Sequence, residues 1–123
     1  MKIIILLCGI YSLCFAIFHI GFWKLFRWKT DLVKLQFPNQ GVMQILNIQL
    51  IFYFLFAAFV CFAFSTELLE TQLGKIFIGA NVVFWFIRTI QQFIFFKSES
   101  YIIHALTIIF IIGTILFALP LLI

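Results

Sequence analysis

The sequence predicts an all-α integral membrane protein, a four-helix bundle, and three observations carry that reading. Of 123 residues, 66% are hydrophobic, 20% aromatic and only 10% charged. A soluble domain carries roughly 25% charged residues, so this chain has too few to cover a globule in water. The apolar residues also gather into four continuous runs, each close to the roughly 20 residues that cross about 30 Å of hydrocarbon. Finally, the runs do not alternate in polarity as barrel strands do. With only 2 prolines and 6 glycines there is no room for a linker or a loop-rich β domain. Residues 1–123 therefore read as a single transmembrane domain.

Taken in order, the first run covers about residues 3–23. Its start, "MKIIILLCGIYSLCFA", has the charged head and apolar core of a secretory signal. The apolar run continues through "IFHIGFW", and Leu7 and Leu13 precede the two cysteines where a lipoprotein signal needs a small residue, so an uncleaved first helix is expected. The loop "KLFRWKTDLVKLQFPNQG" follows, and the second helix spans about 42–64. "STELLETQ" separates it from a third helix at about 73–96, and "KSES" leads into the fourth at about 101–122. Each helix closes its own backbone hydrogen bonds, as lipid requires. Cys8, Cys14 and Cys61 all fall inside helices with no CxxC pair, and read as small apolar side chains.

Orientation follows from lysine and arginine in the short loops. Lys24, Arg27, Lys29, Lys34 and Lys97 lie in loops one and three, against Lys2 and Lys75 on the other side. This places loops one and three in the cytoplasm and both termini outside, in a multi-pass protein of the cell inner membrane. The net charge of +4 needs no nucleic acid to explain it. A basic collar facing anionic headgroups accounts for it, each such residue contributing about 1 kcal/mol of attraction near the leaflet.

Helical neighbours three and four apart share a face. Cys8, Ser12, Ala16 and His19 form one stripe on helix one, and Gln40, Gln44, Asn47, Ala58 and Cys61 one on helix two. Asn81, Arg88, Gln91 and Gln92 align on helix three; His104, Thr107, Thr114 and Ala118 align on helix four. Small and polar seams are how helices meet in lipid. With loops one and three on one side, most of the polar residues come to the cytoplasmic end, while the opposite half is Phe, Leu, Ile and Val. The expected ligand-binding set is His19, Gln44, Asn47, Arg88, Gln92 and His104, lining a cytoplasm-facing pocket for a small anionic or amphipathic molecule.

Arg88 stands out, since no acid lies in any apolar run. A central arginine costs at least about 2.5 to 3.5 kcal/mol on insertion scales. Three readings follow: the side chain snorkels to the interface, it bonds to Asn47, Gln44 and backbone carbonyls, or it binds an anion. His19 and His104 meet the minimum for a bis-imidazole site, but nothing else marks a haem or metal pocket, and no cofactor is expected. No Ser/His/Asp set, carboxylate pair or phosphate-cradling glycine loop is present, so no enzymatic activity is expected.

The size and plan are similar to those of small multidrug transporters, which depend on a first-helix glutamate that is absent here. The glycine-rich first helix and broken third helix of fluoride channels are also missing. "FHIGFWKLFRW" with "NQG", through His19, Phe22, Trp28, Asn39, Gln40 and Gly41, resembles small uncharacterised four-helix bacterial inner-membrane proteins, those known only as domains of unknown function. The resemblance covers about the first third of the chain and implies an inner-membrane tetraspan. Two function classes stay open: a ligand-binding or transport-like module, and a structural or accessory subunit without a ligand. The dense aromatic faces "FYFLFAAFVCFAF" and "FWF" add the expectation of a homodimer or a membrane partner beside the lipid bilayer.

Overall fold

The computed structural model describes residues 1–96 and 100–123; among these there is no strand, and nearly every residue is helical. Seven α-helices follow one another: α1 (Lys2–Ile20), α2 (Phe22–Leu25), α3 (Trp28–Asp31), α4 (Phe37–Ala63), α5 (Ser65–Glu70), α6 (Gln72–Phe95) and α7 (Tyr101–Leu122), with a 3-10 turn at Leu32–Lys34. Four of them, α1, α4, α6 and α7, are long and apolar enough to cross a membrane. Their outer faces carry exposed Ile, Leu and Phe along their whole length, such as Ile17, Phe52, Phe86 and Ile112. That surface suits lipid, where large apolar side chains cost nothing to expose.

The boundaries differ from the sequence expectation where loops were expected. The first long helix stops at Ile20 rather than 23, and the "loop" after it is built of two single turns and a 3-10 turn. The break between α2 and α3 is Arg27, whose φ of 51° places it in the left-handed region. For a non-glycine residue this costs roughly 1 to 2 kcal/mol. Its carbonyl then caps α3, accepting from Thr30 N, Asp31 N and the Thr30 hydroxyl. α4 begins at Phe37 instead of 42, because Pro38 falls in its first turn, where a missing N–H does no harm. "STELLE" is helical as α5, since Leu68 has a buried seat. Lys97 and Glu99, assigned to the third loop, lie outside the described residues.

The chain divides into two compact units. In the first, Gly9–Val60, α1 runs antiparallel to α4: Phe15 meets Phe54 with ring centres 5.8 Å apart, and His19 reaches Asn47. Trp28 is 8% exposed and packs edge-on against Phe22 and Trp23, folding α3 back onto the end of α1.

The second unit comprises Met1–Cys8 and Cys61–Ile123. α6 and α7 form an antiparallel hairpin, with Gln92 at Thr107 and Trp85 stacked on Phe110 at 5.8 Å. α5 crosses the start of α6 at Gly74, where there is no space for a side chain. Thr71 joins the two, its hydroxyl donating to Glu67 O and accepting from Gly74 N as an N-cap. Near the end of α7, Pro120 has no N–H to give the Leu116 carbonyl four residues back. The Cys8 thiol donates to that carbonyl at 3.6 Å.

Candidate functional site: a cationic cleft at the end of α1

The side chains around the first connection are set by two amide contacts. Asn47 Nδ2 donates to the His19 carbonyl at 2.9 Å, in the last turn of α1, where a helix runs out of amide donors for its carbonyls. This fixes the amide so that Asn47 Oδ1 faces His19 Nδ1 at 2.8 Å. An oxygen there only accepts, so Nδ1 carries the proton. One turn nearer the connection, Trp23 Nε1 donates to Gln44 Oε1 at 2.9 Å, and Gln44 Nε2 donates to Gln40 O at 3.1 Å. Gln40 in turn donates to Leu35 O at 2.8 Å, tying the incoming chain to the first turns of α4. His19 is also packed among rings, with Phe22 at 4.1 Å and Phe54 at 5.2 Å.

Above these contacts lies an open cleft of about 740 Å³, lined by Trp23, Lys24, Arg27, Trp28, Lys29, Gln40 and Gln44 together with Thr30, Leu32 and Val33. Three cations face it and no carboxylate does. Asp31, the one acid in this connection, pairs instead with Lys34 at 3.7 Å on the outside. Cations, indole rings and amide groups at the mouth of apolar helices make a chemistry suited to a phosphate or other oxyanion carried on an apolar body. The charges attract the anion, and indoles tolerate a half-wet, half-apolar position.

In the other unit, the Arg88 guanidinium lies over the Phe110 ring at 4.5 Å and within 5.9 Å of the Phe96 ring. No hydrogen bond or ion pair to it occurs among the described residues. Each cation–π contact is worth about 0.5 to 2 kcal/mol, depending on desolvation, so the two rings stabilise the charge where it lies. Gln92, 2% exposed, donates through Nε2 to Ile103 O and Thr107 Oγ1. Its Oε1 is buried without a partner. Flipping the amide would set that oxygen against the Ile103 carbonyl, so the orientation is determined by its neighbours.

The six residues expected to bind ligand are thus divided three and three: His19, Gln44 and Asn47 belong to the first unit, Arg88, Gln92 and His104 to the second. Within the first, His19 and Asn47 are bonded to each other and Gln44 lines the cleft. Within the second, Arg88 and Gln92 both meet α7, and His104 is exposed on its first turn. Trp23 and Trp28 were not among the residues expected to bind ligand, Trp28 entering only through the family resemblance. The available signal was the alternation of Trp with Lys and Arg in "WKLFRWK", a membrane-interface pattern. No family model, curated protein or solved structure matches this chain.

Proposed function

We propose that this chain is a multi-pass inner-membrane protein that binds an anionic, phosphate-bearing amphiphile, a lipid headgroup with its acyl chains, in the cleft at the end of α1. The loop-one cleft then faces the cytoplasm and both termini lie outside, in keeping with the distribution of lysine and arginine. The observation that carries this reading is the lining itself: Lys24, Arg27 and Lys29 beside the indoles of Trp23 and Trp28, with no carboxylate among them. Arg27 supports it further, since a cation held at a left-handed φ of 51° is a local strain of the kind that collects at binding sites. The deeper residues favour a structural role within the same protein. His19 Nδ1 and the His19 carbonyl are bonded to the Asn47 amide, and Gln92 is tied to Ile103 and Thr107.

The test is a titration of the purified protein, carrying Trp85→Phe so that emission comes from Trp23 and Trp28. Short-chain phosphatidylglycerol, phosphatidylcholine and inorganic phosphate are added separately. A saturable change with phosphatidylglycerol that is at least tenfold weaker with phosphatidylcholine, and lost in the Lys24→Gln, Arg27→Gln, Lys29→Gln variant, is expected. An equal response to inorganic phosphate reassigns the site to a free anion. Equal binding of both lipids overturns the proposal.

A further inference from the structure

We propose that α4 carries a self-association surface centred on Gln49, and that the partner it fits is a second copy of this chain. The argument is independent of the cleft. α4 holds three amides with identified partners, Gln40, Gln44 and Asn47. Gln49 is different: it is exposed, and no hydrogen bond to its side chain occurs among the described residues. It lies near the middle of the 27-residue α4. Five residues separate it from Gln44, the partner of Trp23, which puts it about 8 Å deeper than that interfacial contact. No polar group but Tyr53 and Cys61 follows it along the rest of α4. An amide held in hydrocarbon without a partner is costly, and this one has two donors and an acceptor to satisfy.

A second Gln49 satisfies both needs at once. A two-fold axis along the membrane normal brings two α4 helices together in parallel with their Gln49 residues at equal depth. Each Nε2 then donates to the other's Oε1. A lipid chain offers neither group. The surrounding side chains have the spacing that such a contact uses: Val42, Ile45, Gln49, Phe52, Phe56 and Phe59 recur at alternating intervals of three and four, and all are exposed. One polar residue in an otherwise apolar stripe of this period sets the register of paired helices.

The test places single cysteines on α4 of the full chain in Cys14→Ala background, where the remaining cysteines, Cys8 and Cys61, are buried. In phosphatidylethanolamine and phosphatidylglycerol vesicles, oxidation is expected to crosslink Ile45→Cys, Gln49→Cys and Phe52→Cys pairs. Met43→Cys, exposed on the opposite side of the helix from this stripe, should stay uncrosslinked. Dimer formation followed by energy transfer between labelled copies should weaken about tenfold in Gln49→Leu, the loss expected for two interhelical hydrogen bonds in lipid. The residue is exposed, so the monomer's helix content should be unchanged. A monomer at all protein-to-lipid ratios overturns the proposal, as does crosslinking through Met43 as efficient as through Gln49, or a dimer whose strength ignores Gln49→Leu.

Discussion

Gly74 gives the sharpest quantitative test of the second unit. Replacing a helical glycine by alanine ordinarily stabilises a helix, by about 0.5 to 1 kcal/mol. At Gly74 the sign should reverse. A Cβ built there falls under 3.0 Å from Leu68 Cα, Leu68 O and Glu67 O, all backbone atoms of α5. Backbone cannot rotate aside as a side chain can, so α5 must move as a body, straining the Thr71 contacts to Glu67 O and Gly74 N. Overpacking of this kind costs about 1 to 3 kcal/mol. Subtracting the propensity gain leaves a net loss centred on about 1 kcal/mol and reaching about 2.5 kcal/mol. Two other glycines serve as controls. A Cβ at Gly41 meets nothing within 4 Å, and one at Gly79 meets only Leu121 Cδ1 at 3.8 Å, so alanine at either should be neutral or stabilising. The assay is thermal unfolding in mild detergent with a thiol-reactive fluorophore, in Cys14→Ala background, so that buried Cys8 and Cys61 report the opening of this unit. A Gly74→Ala protein that melts at or above wild type would refute the close crossing of α5 over α6.

Asn47→Leu should lose about 1 to 3 kcal/mol, since it removes both bonds to His19; unfolding followed by Trp23 and Trp28 emission checks this, and wild-type stability would count against the capping of α1. Arg88→Leu should be tolerated or gain about 1 kcal/mol, because removing an insertion cost of about 2.5 to 3.5 kcal/mol outweighs the contacts with Phe96 and Phe110. A clear drop in its melting temperature, or loss of a co-purifying phospholipid seen by mass spectrometry, would show that the guanidinium has a polar partner. Cys8→Ala should cost about 1 kcal/mol by leaving the Leu116 carbonyl without a donor, and Pro120→Ala should recover most of that loss by restoring an amide N–H. Melting curves of the two single variants and the double variant test it, and simple additivity would disprove the coupling.

The sequence by itself determined the helical class and the four long apolar helices, because length and continuous hydrophobicity are properties of a segment and need no neighbour. It also marked much of the buried polar seam: Cys8, Ser12, Ala16, Asn47, Cys61, Asn81 and Gln92 are all at most 3% exposed. In a chain whose apolar residues suit lipid and core alike, only small and polar side chains betray a contact. The same logic explains what was missed on α7. His104 is exposed, while the residues buried there are Phe110, Gly113 and Phe117. Thr107 meets the neighbouring helix, accepting from Gln92 Nε2 while donating to Ile103 O, whereas Thr114 donates to Phe110 O of its own helix. Partner choice was decided by tertiary structure alone. Nothing in the spacing of residues says that Asn47 will cap His19, that Trp23 will take Gln44, or that a left-handed Arg27 will turn Trp28 inward and leave Lys24, Arg27 and Lys29 around one cleft. Those outcomes depend on side chains 21 and 28 positions apart in the chain meeting across a helical hairpin, and a hydrogen bond is directional, so only the three-dimensional register of α1 against α4 selects them.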